Sequence, residues 1–388
     1  MPLSDLEAFI IVQHSVGIGH LTRCFALARA LSSISHVTLF DGGRPAESHL
    51  PPSGVDFVQM PILYRPRAGE FPAPIDTRYT LAETEHMRSK LLVDAYRRLK
   101  PRIIITEYFP FAPRRFGNAT LNELFRTISE EPLPPLVICS IRTVPREEVP
   151  DIDDDPASIN AYLKKAFSFV LHHADPKLFP LSSLGSFEQH ALSGIPVWQT
   201  GFVRRPFTQT NRNRVSNGLL LTIGGGSTAG AKLLKRWIEA ARDGSPDLLP
   251  LVAVCGPLTD CADRNAIHAE RGPNVIVHDW VTNMDDLISS SRAVVCLGGY
   301  NTPLEALSQN KPVLAFPHSG LGDQVFQVTA LHAQGVLLKG DPSQSNRDIT
   351  SLMNELLNFR PKYQIDCNGA ERSVEIIRRA LTHREKAR

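Results

Sequence analysis

A stretch in the second half of the chain carries a carboxylate and an amide in a pattern that suits sugar hydroxyl groups. Glu305 lies one turn into a predicted helix that follows the pair Gly298 and Gly299, and Gln324 lies beyond the next apolar run. Glycines at the start of a helix let backbone N–H groups approach an anion. Carboxylate and amide side chains hydrogen-bond hydroxyl groups with defined geometry. The pattern therefore predicts a ligand that combines an anionic group with sugar hydroxyls.

The elements around these residues predict a strand–helix–strand unit. Apolar runs at Ala293–Leu297 and Pro312–Phe316 are typical of strands buried in a parallel sheet. The amphipathic segment between them predicts a helix, and a loop carrying Asp323, Gln324 and Gln327 is expected after the second strand. The carboxyl ends of such strands open onto the crevice where α/β folds bind ligands.

A second glycine-rich turn, TIGGGSTAG at residues 222–230, follows another apolar run. Backbone N–H groups at the head of the next helix can bind a diphosphate without a metal ion. Glycine runs also serve tight packing, and the turn alone leaves both interpretations open.

The N-terminal glycine turn, HSVGIGH at residues 14–20, precedes a segment with helical spacing. His20 would stand at the start of that helix, where the helix dipole disfavours the imidazolium form. A neutral ring can accept a proton from a hydroxyl group, so His20 is a candidate general base. A capping or core-edge histidine is the alternative, and His14 at the strand end is a second candidate.

Length and composition predict a soluble protein of two domains. The 388 residues exceed the size at which a single core stops growing. A net charge of +2 gives no reason to expect nucleic acid. The six cysteines lack metal-ligand spacing and fit a reducing compartment. No signal peptide and no long apolar run is present, so a cytoplasmic protein without a transmembrane segment is expected.

Strands alternate with helices along the chain, which predicts an α/β fold with doubly wound sheets. We expect a first domain at residues 1–203, a polar linker at 204–217, a second domain at 218–367 and a C-terminal helix at 368–388. Further predicted strands are Ala8–Gln13, His36–Phe40, Asp56–Met60, Ile103–Glu107, Leu136–Ser140, Phe167–His172, Leu251–Cys255 and Val275–His278.

Taken together, these motifs resemble GT-B glycosyltransferases, especially family 28, the peptidoglycan N-acetylglucosaminyl transferase family. The string GGYNT at residues 298–302 is shared with a set of predicted bacterial glycosyltransferases. The resemblance implies two Rossmann-like domains facing across a cleft, with the last helix crossing back to the first domain. It implies an inverting, metal-independent hexosyl transfer from a nucleoside-diphosphate sugar, with UDP as the expected nucleotide. The acceptor hydroxyl or amine stays open among lipid, glycan, peptide and natural product, and no cofactor is required.

The family's motifs assign roles to residues of the first domain and the junction. By this resemblance His20 is the catalytic base, and Gly17 and Gly19 in the same turn contribute to phosphate binding. The element TGFVRR supplies Arg204 or Arg205 to the donor phosphates, and the resemblance does not choose between them. An arginine there would offset the charge on the leaving nucleotide.

The same resemblance divides the second domain by the part of the donor that each residue contacts. Trp280 and Val281 would hold the base, and Glu305 the ribose hydroxyls. The sugar-binding residues are Asp323, Gln324 and Gln327, and the phosphate-binding residues are Gly225, Gly226, Ser227, Thr228, Gly298, Gly299, Tyr300, Asn301 and Thr302.

Three places depart from the family's pattern. Arg23 and Cys24 stand where a small residue or proline is common, Thr228 replaces a glutamine, and Tyr300 with Asn301 replace smaller residues. The first departure leaves the organisation of the acceptor side open.

Two other functions fit the same architecture. A nucleotide-sugar 2-epimerase needs carboxylates near the sugar ring, and the first-domain glycine turn offers a histidine without an obvious carboxylate pair. A non-catalytic sugar-nucleotide-binding protein would bind without turnover. The acidic run at residues 151–155 is typical of a solvated turn, so no metal site is expected.

Overall fold

A computed structural model describes residues 6–14, 19–45, 50–64, 72–111, 118–142, 155–207, 218–318 and 322–386. The chain forms two compact units. Unit 1 combines Met1–Arg205 with Asn368–Arg388, and unit 2 is Pro206–Cys367. No helix in the described ranges is long and apolar enough to span a membrane.

Unit 1 is built on a seven-stranded parallel sheet with a small antiparallel strand pair beside it. Its strands are β1 (Glu7–Val12), β2 (His36–Asp41), β3 (Val55–Gln59), β4 (Leu63–Tyr64), β5 (Ala73–Pro74), β6 (Ile103–Glu107), β7 (Leu136–Arg142), β8 (Phe169–His173) and β9 (Val197–Gln199). Its helices are α1 (Gly19–Leu31), α2 (Leu81–Leu99), α3 (Asn118–Ser129), α4 (Pro156–Ala166), α5 (Ser186–Ala191) and α12 (Gly369–Lys386).

Helices cover both faces of this sheet because alternate residues of the central strands are buried on opposite sides. Ile10 of β1 belongs to a core with α1 and α12, whereas Phe9 belongs to a second core with α2, α3 and α4. A strand buried on both faces has a continuous apolar sequence, which explains the run at the start of the chain.

Unit 2 holds a six-stranded parallel sheet. Its strands are β10 (Leu219–Thr222), β11 (Leu251–Val254), β12 (Val275–His278), β13 (Ala293–Leu297), β14 (Val313–Phe316) and β15 (Leu338–Lys339). Its helices are α6 (Thr228–Arg242), α7 (Cys261–His268), α8 (Met284–Ser290), α9 (Asn301–Ser308), α10 (Gly322–Ala333) and α11 (Asn346–Asn358). The predicted α/β class is therefore confirmed.

Strand order decides where each sheet can bind a ligand. The sheet of unit 1 runs β3-β2-β1-β6-β7-β8-β9, and that of unit 2 runs β12-β11-β10-β13-β14-β15. The order reverses direction between β1 and β6 in unit 1, and between β10 and β13 in unit 2. Ligands of open α/β sheets bind beyond the carboxyl ends of the strands at such reversal points. The N-terminal glycine turn follows β1, and the other two glycine turns follow β10 and β13.

The helix α12 completes unit 1 although it follows unit 2 in the chain. Ala370, Val374, Ile377 and Leu381 are buried in the core that α1 also lines. Its Arg378 lies on the exposed side of the helix. An amphipathic helix is stabilised in this way by burial of its apolar face.

The structure corrects two predicted boundaries. The strand expected from Phe167 begins at Phe169, because the backbone N–H of Phe167 still bonds to Leu163 O at the end of α4. The loop predicted after β14 is in part the helix α10, which begins at Gly322. Val328 and Leu331, three residues apart, are fully buried on this helix. That spacing is typical of a helix and outweighs the polar start of the segment.

Candidate functional site

His20 lies in the first turn of α1 and contacts a buried carboxylate. Its Nδ1 is 2.8 Å from Glu107 Oε1, and Glu107 is the last residue of β6. Because β6 is the neighbour of β1 in the sheet, the carboxyl end of β6 lies beside that of β1, the strand that precedes α1. The side chain of His20 is 26% exposed and that of Glu107 only 1%. The ring is thus held on one side by a carboxylate and remains accessible to a substrate.

The same carboxylate oxygen accepts a hydrogen bond from Arg23 Nη2. Arg23 lies one turn further along α1 and is fully buried. The buried guanidinium holds the carboxyl group of Glu107 in place through this hydrogen bond. In the tautomer in which His20 Nδ1–H donates to Glu107, Nε2 is the nitrogen with the lone pair. Glu107 also stabilises the positive charge that the ring would acquire on taking a proton.

The structure adds Glu107 to the residues that the sequence suggested, and it changes the expectation about carboxylates. The first glycine turn was expected to offer a histidine without an obvious carboxylate pair. Instead, Glu107 contacts His20, and Asp41 at the end of β2 contacts His14. The available signal was an acidic residue that closes the apolar run IIITE. A carboxylate in that position belongs to the strand end where α/β folds place their ligands.

His14 forms a buried pair that has little access to solvent. Its Nε2 is 3.2 Å from Asp41 Oδ2, and the two side chains are 5% and 0% exposed. Asp41 also accepts a hydrogen bond from the backbone of Gly43. A Cβ atom at Gly43 would lie only 2.2 Å from the ring of His14. These contacts favour a role of His14 in packing against the segment that follows β2 over a role in proton transfer.

Two further histidines, His172 and His173, lie at the carboxyl end of β8 in the sheet of unit 1. His173 contacts Thr200 Oγ1 at 2.8 Å and Ser140 Oγ at 2.9 Å. Burial, followed by the charge of Arg23, holds the pKa of His173 well below its ordinary value. Burial lowers the pKa of His172 to about 4. Both rings are therefore neutral at physiological pH.

The element TGFVRR follows Thr200 and ends in unit 1. Val203 pairs with Asn368, next to the start of α12. Arg204 and Arg205 are both half-buried. The structure of unit 1 therefore places the two arginines side by side without favouring either as the phosphate ligand.

In unit 2 the turn after β10 is fixed by the segment that follows β11. Gly224 and Gly226 have φ of 63° and 92°, which glycine adopts readily. Leu258 N donates to Gly225 O at 2.8 Å. A Cβ at Gly256 would lie 2.3 Å from Gly224 O, so the two segments touch backbone to backbone. The glycines here serve close packing as well as any ligand.

The two hydroxyl groups predicted near phosphate are engaged within the protein. Ser227 is the N-cap of α6 and accepts from Gly230 N at 3.1 Å. Thr228 Oγ1 donates to Asp260 Oδ2 at 3.4 Å. Backbone N–H groups of the first turn of α6, rather than these hydroxyls, are then the groups that suit a diphosphate.

The GGYNT segment combines tight packing with open space. A Cβ at Gly298 would lie 2.9 Å from Pro317 Cα, whereas a Cβ at Gly299 would meet nothing within 4 Å. Tyr300 is 5% exposed and Asn301 begins α9. A Cβ at Gly224 would lie 3.7 Å from Thr302 Oγ1, so the glycine turns after β10 and β13 are neighbours. Within the described residues, no atom restricts a side chain at Gly299.

The residues predicted for the rest of the donor differ in exposure. Trp280, just after β12, is 43% exposed, and Val281 is half-buried. An exposed indole suits stacking on a ligand ring more than core packing. Glu305 is only 4% exposed. Its carboxylate is therefore mostly covered by protein in this structure.

On α10 the two glutamines have different surroundings. Gln324 Oε1 accepts from His318 N at 3.2 Å. Gln327 is 6% exposed, and its Nε2 has no hydrogen-bond partner among the described residues. A buried amide without a partner is costly, and a ligand hydroxyl would satisfy it. The backbone of Asp323 lies in α10, but its side chain falls outside what the structure describes. Gly17, which was predicted for phosphate binding in the first domain, also falls outside the described residues.

The structure groups the predicted residues of unit 2 along one edge. The turns after β10, β13 and β14 follow three consecutive strands of one parallel sheet. Trp280 follows β12, at the end of the sheet beyond β11. Within the described ranges, three or more His, Cys, Asp or Glu side chains do not come together as a group that could hold a metal ion. In the acidic run, Asp155 caps α4, and residues 151–154 fall outside the described ranges.

The family match falls within unit 2, whereas the structural matches extend over nearly the whole chain. Residues 220–367 match the glycosyltransferase family 28 C-terminal domain. MurG of Acinetobacter baumannii is 14% identical, with a TM-score of 0.59 over 96% of this chain and 99% of that chain. CalG4, the calicheamicin glycosyltransferase, is 13% identical, with a TM-score of 0.58 over 97% of this chain and 94% of that chain. A UDP-N-acetylglucosamine 2-epimerase is 13% identical, with a TM-score of 0.59 over 98% of both chains. No curated protein matches the chain in sequence.

Structural likeness at these identities establishes a common fold and says nothing about substrate. The family match covers the part of unit 2 that contains the turns after β10, β13 and β14. The chain therefore has the GT-B fold, and its residues 220–367 match the C-terminal domain of glycosyltransferase family 28.

Proposed function

We propose that the protein transfers a sugar from a nucleoside-diphosphate donor, a UDP-sugar, to an acceptor hydroxyl or amine, with inversion and without a metal ion. The observation that carries this proposal is the contact of His20 with Glu107, 2.8 Å at the carboxyl edge of unit 1. A partly exposed histidine held by a buried carboxylate is the arrangement of a general base.

In the proposed reaction His20 Nε2 removes the proton of the acceptor group as its oxygen or nitrogen attacks the anomeric carbon. The new bond forms on the face opposite to the leaving nucleoside diphosphate, and the bond from the anomeric carbon to the phosphate oxygen breaks. A single displacement of this kind inverts the anomeric configuration. Glu107 holds the imidazole in the required tautomer and stabilises the imidazolium that forms.

Unit 2 would bind the donor at the carboxyl edge of its sheet. Backbone N–H groups at the start of α6 and beside Gly299 suit the diphosphate, because helix N-termini attract anions. Trp280 would stack on the base, and Gln327 offers an amide that needs a partner. Arg204 or Arg205 would contact the phosphates. Leaving-group charge is then stabilised by dipoles and arginine in place of a metal.

Donor binding is tested by calorimetric titration of the full chain with UDP, dTDP, GDP and ADP, with and without EDTA. Selective binding of one pyrimidine diphosphate that is insensitive to EDTA is expected. At a free ligand concentration of a hundred times the dissociation constant, binding should raise the free energy of unfolding by about 2.7 kcal/mol. Binding that EDTA abolishes would contradict metal independence, and the absence of binding by all four would contradict the donor assignment.

The carboxylates beside His14 and His20 favour a second candidate, a nucleotide-sugar 2-epimerase. Glu107 and Asp41 lie at the carboxyl ends of strands β6 and β2, where such an enzyme needs carboxylates. The two functions differ in their requirement for an acceptor. Incubation of UDP-N-acetylglucosamine alone, followed by proton NMR, distinguishes them. Formation of the 2-epimer would replace the transferase proposal, and an unchanged sugar would support it.

A further inference from the structure

Unit 1 contains a cavity that lies away from His20. A cavity of 560 Å³ lies between α3, α4 and the end of α12. Val137 near the start of β7 and Ser168 just before β8 line it. It therefore lies at the amino ends of the strands, whereas Glu107 lies at the carboxyl end of β6. Strands of five to seven residues are about 16 to 23 Å long at about 3.3 Å per residue, so the cavity is separate from the candidate reaction site.

The inner wall of this cavity is aromatic. The ring centroids of Phe125 and Tyr162 are 5.8 Å apart at an interplanar angle of 88°. Phe125 and Phe167 are 5.5 Å apart at 48°. Phe125 and Phe167 are buried, and Tyr162 is half-buried. Edge-to-face and tilted ring pairs of this kind present both ring faces and ring edges to a further aromatic group.

The rim of the cavity is positively charged. Arg126, Lys165 and Arg384 line it, and no carboxylate does so among the described residues. Arg126 is already paired with Glu123 of its own helix and with Glu130 just after that helix. Lys165 is exposed and has no ion-pair partner in the described ranges. Arg384 donates to Pro134 O at 3.0 Å and to Ser168 Oγ at 3.1 Å, which holds its guanidinium at the cavity.

We propose that this cavity binds a small aromatic carboxylate, with the ring against Phe125, Tyr162 and Phe167 and the carboxylate on Lys165 and Arg384. The volume lies in the range of small-molecule sites, about 300–1,000 Å³. Apolar walls with a few convergent polar groups are the usual composition of such sites. Because cationic side chains line the cavity and no carboxylate does so among the described residues, an anionic ligand is favoured over a neutral or cationic one. The proposal is independent of the donor and the acceptor, because all these residues belong to unit 1 and lie away from His20.

Naphthalene-1-carboxylate is the probe, titrated into the full chain by isothermal calorimetry at low salt. We expect one site per chain, and an affinity at least threefold weaker for the neutral analogue 1-naphthalenemethanol. Lys165→Gln and Arg384→Gln should each weaken binding about three- to tenfold, as expected for a partly exposed charged contact. Lys164→Gln is the matched control, since Lys164 lies on the same helix but approaches Gly194 instead of the cavity.

A cavity-filling variant tests the location independently of charge. Ala166→Trp should abolish binding because Ala166 lines the cavity. Ala161→Trp places the same side chain on an exposed position of α4 and should bind as the wild type does. Thermal unfolding and UDP titration verify that each variant is folded. Equal affinity in Ala166→Trp and wild type, equal affinity in all three charge variants, or no binding to the wild type at millimolar probe would each overturn the proposal.

Discussion

At the scale of single residues, Glu107 determines what His20 can do. The two residues lie 87 positions apart in sequence and meet because β1 and β6 are adjacent. Without a carboxylate, a histidine at a helix start is a weak base and turns freely. With Glu107 next to Nδ1, the orientation of the His20 ring is fixed and the protonated form of the ring is stabilised.

Replacement of His20 by alanine should remove the general base. We expect donor turnover to fall about 10²- to 10⁴-fold, the usual contribution of a positioned base. UDP affinity should stay unchanged, since unit 2 is predicted to carry the donor. UDP release from a panel of UDP-sugars measures turnover. His36→Ala is the control, because His36 is 48% exposed and lies at the opposite end of β2; full turnover in His20→Ala would exclude His20 as the base.

Replacement of Glu107 by glutamine should give a smaller loss. The amide oxygen still accepts from Nδ1–H, but the negative charge that stabilises the imidazolium is gone. Turnover between that of wild type and that of His20→Ala is expected in the same assay. Arg23 loses its charged partner in this variant, so thermal unfolding is measured in parallel. Turnover equal to wild type would show that Glu107 only packs against the ring.

His172 makes stability depend on pH in a defined direction. Burial lowers its pKa from 6.5 to about 4. As pH falls below 6.5, His172 takes up a proton in the unfolded chain but stays neutral in the folded chain. The free energy of unfolding should therefore be fully retained above pH 6.5 and fall towards pH 4, by up to about 1.4 kcal/mol per pH unit for this group. Urea unfolding at several pH values should show a shallower dependence of the free energy of unfolding on pH in His172→Gln than in the wild type; an equal dependence in both would contradict this contribution of His172.

At the scale of elements, the glycine turns of unit 2 were predictable, and the contacts among them were not. The strands Ile103–Glu107 and Val275–His278 have the predicted bounds because apolar runs end where the chain turns. The helix start at Gly322 was missed because two polar residues, Asp323 and Gln324, precede the buried positions. The pairing of His20 with Glu107 depends on the neighbour that β1 acquires in the sheet. Sequence spacing carries no information on that neighbour.

Gly299 offers a test that separates ligand binding from folding. A Cβ there would meet nothing within 4 Å, so Gly299→Ala should leave the unfolding temperature unchanged. The added methyl group would occupy the space through which a phosphate approaches the backbone. UDP affinity should fall at least about tenfold, which corresponds to about 1.4 kcal/mol. Gly272→Ala, also with open space, is the matched control in unit 2; equal UDP affinity in both variants would exclude the GGYNT turn from the phosphate site.

At the scale of the whole molecule, unit 1 is assembled from two separate segments of the chain. The second segment contributes α12, whose buried face joins the core lined by α1. Since α1 carries His20 and Arg23, the stability of the helix that positions the candidate base depends on residues that follow unit 2 in the sequence.

Ile377→Ala should therefore destabilise unit 1 selectively. Ile377 is 1% exposed, and removal of a buried isoleucine side chain costs about 2–5 kcal/mol. Hydrogen exchange followed by mass spectrometry should show faster exchange in α1 and α12, with α6 and α11 unchanged. Glu375→Ala, an exposed position of the same helix, should exchange as the wild type does. Equal acceleration in α6 would indicate that the two units unfold together.

The late position of α12 also imposes an order on biosynthesis. When the ribosome has made residues 1–205, the nascent chain has every strand of the first sheet but lacks the helix that covers α1. Unit 2 is translated entirely before that helix emerges. During this interval Leu21, Phe25 and Ala28, which belong to the core shared with α12, lack part of their packing partners. Release of the helix from the ribosomal tunnel would thus complete the first unit last, and a chaperone that recognises apolar helix faces would find its substrate in that window.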